Sequence, residues 1–274
     1  MPGVPPRRPL DRSLYRPCFR RPRVEIDVGL ARDAHYGERY NRAMSVRAFN
    51  RIRLGYSNAY ILGGEGGCVL VDAGGKNKDR EIVWFLGVAG IPVDSIKLIV
   101  VTHVHEDHVG GLRGMQGLCC CPVLVHEAEA DRLRSGKTSL PRGIGVMGKA
   151  ISAIGNTLGI GGKFAPVEPD VVVSSETLIG EYGVAARVIP TPGHTDGSLS
   201  VLLPGGDAVV GDLVANIFPY LKAPGLPPFV DDMESLLRSW KLLLDEGAKT
   251  ISPGHGVTFS ADQLWKAYHK LRNA

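Results

Sequence analysis

The 274-residue sequence predicts an α+β fold in which two β-sheets pack face to face and helices cover their outer sides. Three observations predict it. Short apolar runs bounded by glycine recur in two separate stretches, an amphipathic helical pattern accompanies each stretch, and the two stretches show no sequence repeat. A sheet or helix with one apolar face must bury it against another layer. Two strand-rich halves with their own helices satisfy this by stacking sheet on sheet.

The elements follow in order. "NAYILGG" and "GCVLVDAGG", split by "GGEGG", read as a hairpin from Ser57 onward. Lys78 to Val88 places Ile82, Phe85 and Leu86 at helical spacing, and "IKLIVVT" is a buried strand. "PVLVHEAEADRL" runs from strand into helix. Residues 135 to 166 then collect Gly136, Gly143, Gly145, Gly148, Gly155, Gly159, Gly161 and Gly162, which marks an insertion with the character of a lid. The second half reads as strands in "VVVSSETLI", "GVAARVIPT", "SLSVLL" and "DAVVGD". Asp231 with Glu234 opens a helix carrying Leu236, Leu237, Trp240 and Leu244 on one stripe, and Ser260 with Gln263 opens the last helix.

Charge is distributed unevenly. The net charge is +4, yet residues 1 to 23 alone hold Arg7, Arg8, Arg12, Arg16, Arg20, Arg21 and Arg23 against Asp11, so the rest of the chain is slightly acidic. A nucleic-acid binder needs its positive charge on the folded body, and this chain lacks it there. Residues 1–43 therefore read as a basic, Pro/Arg-rich extension expected to be poorly ordered in part, with Met44 an alternative start and 44–274 the catalytic domain. The five cysteines, Cys18, Cys68 and the run Cys119, Cys120 and Cys121, form no disulfide framework, so a reducing, cytoplasmic setting is expected. The run is read as small strand residues. No apolar stretch has the length of a membrane span.

The chemistry gathers in "VVTHVHEDHVGG". If the segment is extended, His103, His105 and Asp107 share a face, and a turn at Gly110 and Gly111 swings His108 beside them. Imidazoles and a carboxylate leaving water together require compensation, which a divalent cation supplies. Nitrogen and carboxylate oxygen donors suit zinc and are tolerated by iron or manganese. Three more strand ends carry a glycine and a ligand-type residue: "TPGHTDGS" with His194, "VVGDLV" with Asp212 and "ISPGHG" with His255.

These motifs, with Asp72 of "LVDAGG", occur in the order found in the metallo-β-lactamase fold superfamily, which the chain resembles from residue 57 to about 260. The resemblance implies a four-layer αβ/βα sandwich of two mixed sheets with two metals. His103, His105 and His194 would hold the first, Asp107, His108 and His255 the second, and Asp212 would bridge them. Asp72 resembles the family's acid that orients a ligand histidine.

Two Zn2+, or Fe or Mn in their place, would share a water and bring its pKa from 15.7 towards ~7, giving a bridging hydroxide. Asp107, beside metal and nucleophile, would carry a proton to the leaving group. The expected activity is hydrolysis of a small carboxylic ester, lactone or thioester. Two alternatives stand: phosphodiester cleavage, and a mononuclear iron oxidoreductase of the persulfide dioxygenase kind. Ala215 replaces the tyrosine that resembling lactonases carry three residues after the bridging acid. Phe218, Tyr220 and Lys222 in "NIFPYLKAPGLPPF" are the expected substrate contacts. The expected partner is a small molecule rather than a nucleic acid, and the oligomeric state is left open, a homodimer included.

Overall fold

The computed structural model describes residues 49–138, 143, 152–154, 162–216 and 224–273. The N-terminal extension, Met44, most of the 135–166 insertion and the residues Phe218, Tyr220 and Lys222 lie outside the described residues.

The first sheet begins with β1 (Phe49–Leu54), β2 (Ser57–Gly64) and β3 (Gly67–Val71). β2 and β3 pair antiparallel down to Gly64 opposite Gly67, so the glycine-rich stretch is the turn expected. Helix α1 (Asp79–Val88) then crosses to β4 (Ile96–Val100), which lies parallel to β3. The short helix α2 (Glu106–Val109) and α3 (Leu112–Cys119) lead to β5 (Val123–His126), and α4 (Glu127–Ser135) follows directly. β6 (Val171–Val173) closes this sheet, whose strand order is sequential from β1 to β6.

The second sheet holds β7 (Thr177–Leu178), β8 (Arg187–Pro190), β9 (Leu199–Leu202), β10 (Asp207–Val209), β12 (Thr250–Ser252) and β14 (Phe259–Ser260), ordered β14-β12-β10-β9-β8-β7. The stretch "VVVSSETLI" is therefore divided: its first part ends one sheet and its second part starts the other. β11 (Ala215–Asn216) and β13 (His255–Gly256) form a separate two-stranded parallel pair. Helix α5 (Met233–Asp245) is capped by the Asp232 side chain, which accepts from the Glu234 and Ser235 amides, one position later than the sequence suggested. Helix α6 (Ala261–Arg272) has the expected capping box of Ser260 and Gln263.

Three apolar clusters give the layers. Ala59, Ile61, Leu70, Ile99 and Val125 face α1, α3 and α4 through Ile82, Leu86, Met115 and Leu133. Tyr60, Leu62, Val69, Leu98 and Val100 face Val188, Leu199, Val201 and Val209 of the other sheet. Ile189, Ala208 and Ile251 face Leu236, Trp240 and Leu264 of α5 and α6. Successive residues of a strand point to opposite faces. Because both faces of the central strands are covered, they read as continuous apolar runs rather than as alternation. Helices, sheet, sheet, helices is the αβ/βα sandwich.

The cysteine run departs from its sequence reading. Cys119 ends α3, Cys120 is its left-handed cap and Cys121 precedes β5, so none of the three is a strand residue. Among the described residues no helix is long and apolar enough to cross a membrane.

Candidate metal centre

The strand β4 ends at Val100, and the polar cluster begins at once. His105 is extended (φ −115°, ψ 153°), and Glu106–Val109 forms one helical turn. The expected alternation therefore holds only as far as His105. Asp107 and His108 reach the centre because the turn swings them round, with the His108 and Val109 amides donating back to the His105 carbonyl. Gly110 allows the turn to pack tightly: a side chain there would meet the Gly75 backbone carbon at 2.4 Å.

His194 lies in the loop between β8 and β9, Asp212 in a 3-10 turn after β10, and His255 on β13. All seven side chains converge. Ligand atoms of His103, His105 and His194 lie within 4.8 Å of one another, as do those of Asp107, His108 and His255, and those of His103, His108 and Asp212. His105 Nδ1 is 3.1 Å from His194 Nε2. His255 Nε2 is 3.1 Å from Asp107 Oδ2 and 3.2 Å from Asp212 Oδ2. Asp212 Oδ1 is 3.3 Å from His108 Nε2, and Oδ2 is 3.7 Å from His194 Nε2. Asp212 thus stands between the two triads.

The outward nitrogens of His103, His108, His194 and His255 are held by other groups. Asp72 Oδ2 lies 2.8 Å from His108 Nδ1, while the same carboxylate accepts from the Thr102 amide (2.8 Å) and hydroxyl (2.7 Å). The Thr102 hydroxyl is also 3.1 Å from His103 Nδ1. His194 Nδ1 donates to the Phe229 carbonyl and His255 Nδ1 to the Tyr56 carbonyl, each at 2.8 Å. Such partners fix tautomer and ring direction, so that the unprotonated ring turns its acceptor nitrogen inward. Sequence reasoning found Asp72 but missed Thr102, Tyr56, Phe229 and Asn58, whose side-chain amide donates to the Pro253 and Gly256 carbonyls on either side of His255. Asn58 was detectable as an amide in an otherwise apolar strand, since a buried polar group needs partners. The carbonyls of Tyr56 and Phe229 left no signal, because any residue supplies one.

A divalent cation fits this donor set. His103 Nε2, His108 Nε2 and Asp212 Oδ1 are buried without a hydrogen-bond partner. Buried polar atoms are nearly always satisfied, and three orphans aimed at one point are what a cation would satisfy. Protonation differs between the triads. Burial and neighbouring imidazoles hold His103 well below the usual histidine range and bring His105 down to about 3. Burial opposes charge on His108 and His255 too, but the surrounding carboxylates outweigh it. They raise His108 well above its usual range and His255 to about 10. Burial also opposes ionisation of Asp107 and Asp212; the histidines beside them win, bringing Asp107 to about 2 and Asp212 well below the carboxylate range. Asp107 and His255 are only partly buried, so the centre opens to solvent on their side.

The family model for the metallo-beta-lactamase superfamily matches residues 52–255. Among curated proteins, the chain is 26% identical over 200 residues to a beta-lactamase-like protein 2 homolog of Drosophila melanogaster, covering 73% of this chain and 58% of that one. It is 28% identical over 224 residues to a probable metallo-hydrolase of Methanocaldococcus jannaschii, covering 79% and 95%. To a human acyl-coenzyme A thioesterase it is 28% identical over 181 residues, covering 62% and 59%. The chain thus spans somewhat over half the length of the fly and human relatives. The fold matches a solved metallo-beta-lactamase superfamily protein from Sulfolobus tokodaii with a TM-score of 0.60 at 23% identity, covering 82% and 86%. With the family model spanning most of the described chain and the sandwich matching in three dimensions, this chain belongs to the metallo-β-lactamase superfamily.

Proposed function

We propose that this superfamily member is a metallo-hydrolase that binds two divalent cations, zinc by preference, and cleaves a small carboxylic ester or thioester. One observation carries the reading: two complete ligand triads, His103, His105, His194 and Asp107, His108, His255, joined through Asp212. A mononuclear iron site would need only one triad. When bound, a pair of such cations supplies an acidified water and a Lewis acid for the reacting oxygen.

The chain's own residues supply the rest. Asp212 sets the distance between the triads with its two oxygens. Asp107, partly open to solvent and depressed in pKa, is ionised at neutral pH and accepts a proton from the attacking water, then returns it to the leaving group. Asp72 and Thr102 keep His108 and His103 aimed inward. Phe218, Tyr220 and Lys222 remain the proposed substrate contacts. The kinship with a thioesterase over 62% of this chain supports placing a thioester first among substrates. A lactone is placed after it, because Ala215 stands where resembling lactonases use tyrosine.

The test is hydrolysis by metal-loaded protein of an acyl thioester, a lactone, a β-lactam and a bis-nitrophenyl phosphate, beside Asp212→Ala. Thioester turnover that the substitution reduces at least ~100-fold supports the reading. Full activity in the variant, or turnover of the phosphodiester alone, contradicts it.

A further inference from the structure

The link from α3 into β5 holds Cys119, Cys120 and Cys121. Cys119 and Cys121 are buried with their sulfurs 2.8 Å apart, and Cys119 Sγ also lies 2.9 Å from the Met115 carbonyl. Between them Cys120 is exposed and takes φ 50°, ψ 39°, the left-handed region that a helix cap normally gives to glycine. A side chain in that region costs energy, and such outliers persist where the surroundings demand them. Here the left-handed residue turns the chain so that the residues before and after it meet side by side.

The two thiols are not equivalent. The hydrogen bond shared by the two sulfurs pulls the Cys119 thiol below its ordinary range and pushes Cys121 up. At this separation one sulfur can attack a mixed disulfide formed on the other. Each keeps 7 % of its surface open to solvent, beside the exposed Cys120.

We propose that Cys119 and Cys121 form a redox-active dithiol that a low-molecular-weight disulfide oxidises to an intramolecular disulfide. The Cys119 thiolate attacks one sulfur of the small disulfide, forming a mixed disulfide and releasing one small thiol. The Cys121 sulfur then attacks Cys119, expelling the second small thiol. Two cysteine thiols are oxidised by two electrons, the small disulfide is reduced to two thiols, and the two cysteine protons end on them. A bridge across a single intervening residue closes a tight ring, and strained disulfides are the labile, reversible ones. The helix α3 carries the pair about 12 Å from the Gly111 end that adjoins the histidines, so the exchange is separate from the metal centre.

The experiment equilibrates the full-length, metal-loaded protein without air in oxidised and reduced glutathione at stepped ratios, then quenches with acid, alkylates and maps peptides. Wild type and Cys120→Ser should both lose alkylation at Cys119 and Cys121 together, with a mass loss of two hydrogens in the shared peptide. Dithiothreitol should restore both thiols. Cys121→Ser should instead retain a glutathione adduct on Cys119. Cys119 and Cys121 still fully alkylated at the most oxidising ratio, or a glutathione adduct persisting on Cys119 in Cys120→Ser, overturns the proposal.

Discussion

Asp72 adopts φ 60°, a conformation that Asp accepts more readily than most residues, and this turns its carboxylate back onto Thr102 and His108. Asp72→Ala leaves His108 Nδ1 and the Thr102 hydroxyl without this partner. Loss of such a supporting carboxylate typically costs 10–100-fold in metal affinity, and we expect about that loss, read by competition with a chromophoric chelator. Unchanged affinity would remove Asp72 from the site's support. Cys120 gives the converse case, because its left-handed cap suits glycine better than cysteine and its exposed sulfur reaches the Gly117 carbonyl only at 3.7 Å. Cys120→Gly should raise stability by about 0.5–1 kcal/mol in denaturant unfolding. At this scale the sequence is informative for side chains: His103, His105, Asp107, His108, His194, Asp212 and His255 stand out as ligand-type residues near the ends of apolar runs, and the structure gathers them. It was silent on backbone acceptors such as Tyr56 and Phe229.

His255 depends on an element from the other half of the chain. On β2, Asn58 Nδ2 donates to the carbonyls of Pro253 and Gly256, each at 3.0 Å, and Tyr60 Oη donates to Pro253 at 2.7 Å. The Asn58 amide adds a bond of 2.8 Å to Gly254. The hairpin of β1 and β2 therefore grips the loop on both sides of His255. Asn58→Ala should weaken the second cation by about tenfold while leaving the first unchanged, a split that general destabilisation would not produce. Equal weakening of both would contradict this role. β1 was not read from sequence, although "RIRL" alternates exposed arginines with buried Ile52 and Leu54 as a half-buried strand does. The helical turn carrying Asp107 was also missed, because a four-residue turn has no periodicity to detect.

The two triads also differ in how they should respond to pH. Burial and neighbouring imidazoles favour the neutral form of His103 and His105, whereas the surrounding carboxylates favour the protonated form of His108 and His255. Donors must lose their protons to bind a cation. The first equivalent of metal should therefore release almost no protons and the second about two, measured by calorimetry in buffers of different ionisation enthalpy. The metal-free protein has the corresponding dependence. A folded pKa of about 10 for His255 exceeds its unfolded value of about 6.5, so its stabilisation is complete below that unfolded value and is lost as pH rises towards 10.

Across the whole molecule, the sandwich brings four ligand-bearing segments to one rim, with Asp72 on a fifth. The sheet-to-sheet cluster around Leu98, Val100, Val188 and Val201 holds the halves in register. Leu98→Ala should cost about 2–5 kcal/mol of stability, and the cations should bind the remaining folded protein normally. The layered architecture was readable from two strand-rich halves with amphipathic helices. The assignment of β6 and β7 to different sheets was not, because one apolar stretch crosses between sheets at Ser174 and Ser175 without a local signal.

The most direct measurement is the metal content of purified protein after reconstitution and desalting, alongside His194→Ala and His255→Ala. We predict two divalent cations per chain in the wild type and one in each variant, because each substitution breaks a different triad. A single cation in the wild type, or two retained in both variants, would contradict a centre built from these seven side chains.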